Sequence, residues 1–139
     1  MQPRSIRLFS WMYLLAIGLG LAVAVLNWAT ATAALRNATG GGNAAPVALA
    51  ATILVSLLIP LLLWYFVTRR RSNVARWLVA VLTAFGVAVI ALAAARGTLQ
   101  PGLAGAIGIL GMVLRVLASV QLFRADAAAW FEEPEEASA

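Results

Sequence analysis

The sequence contains no cysteine, no histidine and no lysine among its 139 residues. The lack of Cys and His excludes thiol nucleophiles, disulfides, metal sites built on these side chains and acid–base catalysis by imidazole. The lack of Lys excludes a P-loop lysine and a Schiff base. We therefore expect that the chain is not an enzyme and that it holds no cofactor and no metal.

Acidic residues are also scarce, and all five lie in the last fourteen positions. They are Asp126, Glu132, Glu133, Glu135 and Glu136. Transport that is coupled to protons or cations commonly depends on carboxylates inside the membrane. The small multidrug exporters match the chain in length and helix number, but they use a carboxylate in the first helix, so membership of that group is disfavoured. The paired carboxylates of glycoside hydrolysis are missing as well.

Apolar sequence is abundant: 63% of the residues are hydrophobic, 11% are charged and the mean hydropathy is +0.94. Soluble domains carry about 25% charged residues, and a chain of this length cannot bury so much apolar surface in its own core. Four continuous apolar segments, at 8–28, 46–67, 77–95 and 102–123, each have the roughly twenty residues that a membrane-spanning helix needs. The sequence predicts an all-α membrane protein with one transmembrane domain over 1–139, an antiparallel bundle of four transmembrane helices.

The segments between the spans differ in character. Residues 30–45 include Gly40-Gly41-Gly42 and are predicted to form a flexible loop. The segment from Thr68 to Arg76 is short and cationic, which favours an antiparallel hairpin of the second and third helices. The tail at 124–139 is predicted to begin with a short cytoplasmic helix at the membrane interface, with Trp130 and Phe131 dipping in, and to end in solvated acidic residues.

The first apolar segment also resembles a secretory signal peptide. Arg4 and Arg7 precede it, and Ala29-Thr30-Ala31 follows it as a possible cleavage site. However, its apolar run is longer than the roughly 7–15 residues of a signal. We therefore expect a retained helix.

The distribution of arginine predicts the orientation in the membrane. An even number of spans places both termini on one side, and seven of the ten arginines would lie on that side. They are Arg4, Arg7, Arg69, Arg70, Arg71, Arg76 and Arg124, whereas the other side would carry Arg36 and Arg96. The positive-inside rule therefore predicts that both termini are cytoplasmic and that the protein is a multi-pass protein of the bacterial inner membrane. The net charge of +5 is explained by this topology, so we expect no nucleic-acid partner.

Arg115 is the one charged residue inside a predicted span. A charge near the bilayer centre costs at least about 2.5–3.5 kcal/mol on insertion scales, so such residues are candidates for function. Pro60 lies at a similar depth in the second span and frees the carbonyl of Ser56. We predict an intramembrane polar site of Arg115, Ser56, Pro60 and Thr83, which would attract an anion or a lipid headgroup. The alternative is that Arg115 extends its side chain toward the headgroups or forms a structural hydrogen bond.

Small residues repeat at helical spacing in the first and fourth spans. They are Ala16, Gly20 and Ala24 in the first span, and Ala104, Gly108 and Gly111 on the face of the fourth span that carries Arg115. Such faces let helix backbones approach closely. They predict close packing within the bundle or, alternatively, an interface with another subunit.

The basic cluster of Arg69, Arg70, Arg71 and Arg76 lies beside the membrane in this prediction. Its main role is expected to be topological, because cations hold a loop in the cytoplasm. Binding of anionic lipids is a second interpretation, at about 1 kcal/mol per cation.

The two ends of the chain resemble small four-span inner-membrane proteins of alphaproteobacteria, sphingomonad-type ones in particular. The similarity lies in Arg4-Ser5-Ile6-Arg7-Leu8-Phe9 and in Leu122-Phe123-Arg124 with the following Asp126 and Trp130-Phe131. This resemblance implies a fold and a location, and it transfers no site residues.

Two functions from different classes are consistent with these features. The first is a non-catalytic accessory or structural subunit, whose partners are the bilayer, copies of itself or other membrane subunits. The second is a small transporter or channel subunit in which Arg115 lines an anion-attracting cavity.

Overall fold

A computed structural model describes residues 3–38 and 44–132, and these residues form six helices and no strand. The helices are α1 (Arg4–Leu26), α2 (Trp28–Ala38), α3 (Ala44–Thr68), α4 (Asn73–Ala95), α5 (Gly102–Gln121) and α6 (Ala125–Glu132). The prediction of an all-helical protein with four long apolar helices is therefore confirmed.

By length and composition, α1, α3, α4 and α5 are each able to cross a membrane. Only 6% of the most apolar window of α3 and 22% of that of α1 is buried within the protein. Large apolar side chains such as Trp11 and Phe85 stay mostly exposed. Since water would penalise this much exposed apolar surface, the four helices indicate a membrane protein.

The long helices extend beyond or fall short of the predicted spans by a few residues. For example, α4 begins at Asn73 rather than at residue 77, because the Ser72 hydroxyl accepts a hydrogen bond from the Ala75 N–H (3.3 Å) and caps the helix. The hydropathy of the sequence locates the apolar core of a span. The helix itself continues through polar residues as long as its backbone hydrogen bonds and caps are satisfied.

The predicted loop at 30–45 is wrong for most of its length. Asn27 forms a turn, after which α2 runs from Trp28 to Ala38 and packs against α3. Alanine is common in α2 and has the highest helix propensity, and the Thr32 hydroxyl donates to the Trp28 carbonyl (2.7 Å) within the helix. The glycines of the predicted loop lie outside the described residues.

The long helices contact one another in a defined order. The most extensive contact is between α1 and α5; α3 packs against α1 and α4, and α4 also packs against α5. The Asn27 side-chain amide donates to the Gln100 side chain (3.2 Å), which joins the end of α1 to the segment before α5. The Ser5 N–H donates to the Asp126 carboxylate (3.3 Å), which joins the start of α1 to α6.

The buried core lies toward the ends of the helices that are near α6. Its side chains come from the first half of α1, the end of α3, the start of α4 and the end of α5, with Phe9, Ile6, Leu122, Val67 and Val79 the largest fully buried ones in the described chain. A hydrogen bond from the Trp64 indole N–H to the Ser10 hydroxyl (2.7 Å) ties α3 to α1 at the edge of this core.

Candidate functional site

Arg115 lies on the side of α5 that packs against α1. Its Nη2 atom is 3.9 Å from the position that a Cβ atom would take at Gly20 of α1. Arg115 is half-buried, six residues before the last residue of α5, Gln121. At 1.5 Å per residue its Cα is about 9 Å from that helix end.

The close approach of α1 and α5 depends on small residues. A Cβ atom at Gly111 would lie 3.6 Å from the Leu19 Cβ and 3.7 Å from the Ala16 carbonyl oxygen, which is ordinary van der Waals contact. A longer side chain at Gly111 would have to enter space that α1 occupies. A small residue at position 111 is therefore needed for the two helices to lie this close, as is common in membrane helix pairs.

A cavity of about 160 Å³ lies between α1 and α5 beside Arg115. Because one water molecule occupies about 30 Å³ in the liquid, the cavity has room for a small polyatomic group. Eight residues line it, and only Arg115 is charged. The others are Ala16, Gly20 and Val23 of α1 and Ile107, Gly108, Gly111 and Met112 of α5.

The Arg115 guanidinium forms no hydrogen bond or ion pair with any residue in the described ranges 3–38 and 44–132. Tyr13 of α1 lies within electrostatic range of it. The phenol is buried, and its ring stacks on that of Phe9 with 5.0 Å between the centroids. The sequence analysis did not identify Tyr13 as a neighbour of Arg115. Its spacing was the available signal, since Tyr13, Ala16 and Gly20 are three and four residues apart and share one helix face.

The structure does not bring the other predicted members of the polar site to this cavity. Ser56 is exposed on α3, and its hydroxyl donates to the Ile53 carbonyl of the same helix (2.8 Å). Pro60 lies inside the continuous helix α3, and Thr83 is buried on α4. None of the three lines the cavity, because α5 meets α1 where the prediction placed α3.

The small residues of α1 and α5 meet within this one chain. Ala16, Gly20, Gly108 and Gly111 line the same cavity. Ala104 lines a neighbouring cavity of about 230 Å³ nearer the start of α5, and Ala24 is half-buried on α1 without lining either of them.

The four arginines of the basic cluster differ in environment. Arg69 and Arg70 are exposed, and Arg71 is half-buried in the turn with a positive φ of 49°. Arg76, in the first turns of α4, is directed onto aromatic rings. Its guanidinium carbon lies 4.3 Å from the centroid of the Phe123 ring and 5.4 Å from that of Phe131.

The contacts of Arg76 fasten α6 to the ends of α4 and α5. Its Nε atom is buried and has no hydrogen-bond partner in the part of the chain that the structure describes. The two aromatic rings stabilise the guanidinium, at about 0.5–2 kcal/mol for each cation–π contact. Phe123 also meets Trp77 of α4 edge to face, with 5.3 Å between the centroids.

Asp126 connects α6 to the first turn of α1. The Ser5 hydroxyl beside it and the backbone N–H groups of Ser5, Asp126 and Ala127 lower the pKa of the Asp126 carboxyl from its ordinary value. The Ser5 hydroxyl forms no hydrogen bond of standard geometry with the described residues, so it favours the charged carboxylate through the O–H dipole. The carboxylate also complements the positive end of the α1 dipole.

The described residues contain no group of three or more His, Cys, Asp or Glu side chains that could hold a metal ion. No family model, curated protein or solved structure matches the chain. The contacts and charges of the chain itself are therefore the basis for inferring its function.

Proposed function

We propose that the chain is a non-catalytic, multi-pass protein of the bacterial inner membrane that serves as an accessory or structural subunit. In this proposal α1, α3, α4 and α5 form an antiparallel transmembrane bundle, α6 lies at the cytoplasmic interface, and both termini are cytoplasmic. The seven-to-two distribution of arginines in the sequence supports this orientation.

The observation that carries the proposal is the exposure of the apolar faces of α3 and α4. Leu62 of α3 and Val81 and Phe85 of α4 expose more than half of their surface. In a membrane such faces contact lipid or the helices of another subunit. The groups in the spans suit packing rather than reaction, since the seam between α1 and α5 contains small and apolar residues and a single cation.

The experiment is purification of the full-length chain from native membranes, followed by native mass spectrometry. A stable complex with another membrane protein or with further copies of the chain is the expected result. A chain that is monomeric in lipid nanodiscs and brings no other subunit with it would contradict the proposal.

Cysteine cross-linking locates the interface, because the chain has no cysteine of its own. In a homo-oligomer, Leu62→Cys or Val81→Cys is expected to form a disulfide between copies under mild oxidation. Val79→Cys is the matched control, since Val79 is buried. Equal cross-linking at Val79 and Val81 would indicate random collision instead of a defined interface.

A second candidate is a small transporter or channel subunit for anions. It is favoured by the position of Arg115, whose charge faces a cavity and meets no counter-charge among the described residues. Anion flux into proteoliposomes that depends on Arg115, and is lost in Arg115→Leu, would support it. The absence of flux with the unsubstituted chain would contradict it.

A further inference from the structure

The seam between α1 and α5 is packed near α6 and holds cavities further away from it. On the face of α5 that carries Arg115, Ala118 and Leu122 are fully buried in the core near α6. On the other side of Arg115 the same face lines the cavity of about 160 Å³ at Gly108. Tyr13 belongs to the packed core and does not line the cavity. Arg115 therefore lies where the packed part of the seam ends and the cavity begins.

The Arg115 side chain is directed away from the nearer end of α5. Side chains on a helix lean toward its N-terminus. Gly111, one turn earlier on α5, faces Ala16 and Leu19 of α1. The Arg115 Nη2 atom lies beside Gly20, further along α1. The guanidinium is therefore near the middle of the seam, where the cavity is, and not beyond the end of α5.

The cavity continues toward the ends of the helices that are away from α6. The neighbouring cavity of about 230 Å³ shares Val23 and Gly108 with it. Thr98 and Gln100 line this second cavity, and both are exposed. The two cavities together lead from a polar rim to the Arg115 guanidinium, and the core near α6 closes the other end.

The charge of Arg115 is not compensated along this path. No other charged residue lines either cavity, and in the described part of the chain the guanidinium has no hydrogen-bond or ion-pair partner. Taking an ion out of water carries a desolvation penalty, which a paired charge and hydrogen bonds offset. A divalent anion would bring a second charge that nothing in the cavity balances. The lining therefore suits an anion with a single negative charge.

The fork of the guanidinium and the apolar walls favour a carboxylate with a short alkyl chain. A guanidinium donates two parallel hydrogen bonds to the two oxygens of a carboxylate. Val23, Ile107 and Met112 supply apolar walls for the alkyl chain, and Gly20 and Gly108 leave room because they place no side chain in the cavity. A cavity of about 160 Å³ has the volume of several water molecules at about 30 Å³ each, which is enough for a few carbon atoms.

We propose that Arg115 and the cavity between α1 and α5 bind a short-chain monocarboxylate, with its carboxylate on the guanidinium and its alkyl chain along the apolar walls. The pocket opens away from α6, which is the non-cytoplasmic side in the orientation proposed above. The inference rests on the proposal that the four long helices span a membrane. Because the core near α6 closes the other end, the pocket binds the anion without conducting it, unlike the second candidate function.

The test is a titration of the full-length protein in lipid nanodiscs with butyrate, followed by saturation-transfer NMR in a buffer without chloride. Empty nanodiscs correct for partition of butyrate into the lipid. Butyramide, chloride and succinate are then added as competitors, because they lack the charge, lack the paired oxygens and alkyl chain, or carry a second charge. We expect saturable butyrate binding, with each competitor binding at least tenfold more weakly. No saturable binding of butyrate, or a competitor that binds as tightly as butyrate, overturns the proposal.

Substitutions of Arg115 test the charge. Arg115→Leu is expected to weaken butyrate binding about tenfold to a hundredfold, since a charge-assisted hydrogen bond contributes on that scale. Arg115→Lys should retain part of the affinity, because it keeps the charge and loses the fork. Arg36→Leu, at an exposed arginine of α2, is the control for loss of charge alone and should bind as the unsubstituted chain does.

A second pair of variants tests the space instead of the charge. Gly108→Leu fills the cavity, and a Cβ atom at Gly108 meets no atom within 4 Å, so the helix accommodates the change. Gly18→Leu is the matched control, since Gly18 also has open space around it and does not line the cavity. We expect Gly108→Leu to weaken butyrate binding at least tenfold and Gly18→Leu to leave it unchanged. Helix content and the unfolding midpoint in detergent confirm that each variant is folded.

Cysteine labelling tests from which end the pocket is reached. The chain has no cysteine of its own, and a methanethiosulfonate reacts with a thiolate that water reaches. In intact cells a small, membrane-impermeant methanethiosulfonate should label Gly108→Cys, and butyrate should slow this labelling. Ala118→Cys, on the buried side of Arg115, should stay unlabelled. Labelling of Ala118→Cys as fast as Gly108→Cys would show that the core does not close the pocket and would overturn its single opening.

Unchanged butyrate binding in both Arg115→Leu and Gly108→Leu would overturn the assignment of the site. These outcomes differ from a failure of the proposed function. If Thr98→Cys is not labelled from outside the cell, the proposed orientation fails, and the butyrate titration still decides whether the anion site exists. If the chain fractionates with membranes but binds no butyrate, only the present inference fails. If the chain is absent from the membrane fraction, the proposal of a membrane-spanning subunit fails first.

Discussion

The contact between α1 and α5 leads to a prediction in which two substitutions at one glycine have opposite effects. A methyl group at Gly111 would lie 3.6 Å from the Leu19 Cβ and 3.7 Å from the Ala16 carbonyl oxygen, so it fits. Gly111→Ala should therefore be neutral or should stabilise the protein by up to about 1 kcal/mol, because alanine has the higher helix propensity.

Gly111→Leu is expected to have the opposite sign. Its additional carbons have to enter the space of Leu19 and Ala16, and overpacking of this kind typically costs about 1–3 kcal/mol. The matched control is Gly18→Leu on α1, where a Cβ atom meets nothing within 4 Å and the free energy of unfolding should rise by up to about 1 kcal/mol, because leucine also has a higher helix propensity than glycine.

The assay is unfolding of the purified protein in mixed micelles by increasing mole fraction of dodecyl sulfate, followed by circular dichroism. The expected order of stability is Gly111→Ala and Gly18→Leu at or above the unsubstituted chain, and Gly111→Leu clearly below it. If Gly111→Leu and Gly18→Leu unfold at the same detergent fraction, the two helices do not approach at Gly111 and the reasoning is refuted.

Three further predictions concern the end near α6 and the topology. Replacing Arg76 by Met should destabilise the protein by about 0.5–2 kcal/mol through loss of its cation–π contacts, and a double-mutant cycle with Phe123→Leu measures the coupling. Because the folded-state pKa of Asp126 is lowered, α6 should stay attached to α1 above the ordinary aspartate pKa of about 3.9. The attachment should be lost as the pH falls through the folded-state pKa, and hydrogen exchange of the α6 amides measures this loss. In intact cells a membrane-impermeant maleimide should label Thr98→Cys and leave Arg70→Cys unlabelled.

Each of these predictions has an outcome that contradicts it. A coupling energy near zero between Arg76 and Phe123 would mean that the ring does not stabilise the guanidinium. If hydrogen exchange in α6 has the same pH dependence in Asp126→Asn as in the unsubstituted chain, the Asp126 carboxylate does not hold α6 to α1. Labelling of Arg70→Cys in intact cells, with Thr98→Cys protected, would reverse the proposed orientation.

The positions of the four long helices were predictable because the cause is local. Any stretch of about twenty apolar residues has to satisfy its own backbone hydrogen bonds in lipid, and a helix does so within the segment. The loop predicted before α3 failed for a local reason too. The loop was predicted from the three consecutive glycines. The alanine-rich segment before them, from Trp28 to Ala38, has strong helix propensity and forms a helix that packs against α3.

The helix that faces Arg115 could not be predicted from the sequence in the same way. Helical periodicity predicts that Arg115, Gly108 and Gly111 share one face of the helix, and all three residues line the cavity. The proposed partner Ser56 was chosen by depth along the helix, and depth does not say which helix stands opposite. Similarly, Arg76 was grouped with the arginines of the preceding turn by proximity in sequence, although its guanidinium lies against aromatic rings of the chain beyond α5.

The sequence by itself indicated that this protein lies in a membrane, that it is helical, and where the apolar parts of its four long helices are. These properties follow from composition and from hydrogen bonding within each segment. The tertiary structure decided that α1 packs against α5, that Arg115 faces Gly20 and a cavity, and that Asp126 reaches the first turn of α1. The physical reason is that these contacts join residues far apart in the chain, and their formation depends on how the side chains of whole helices fit together.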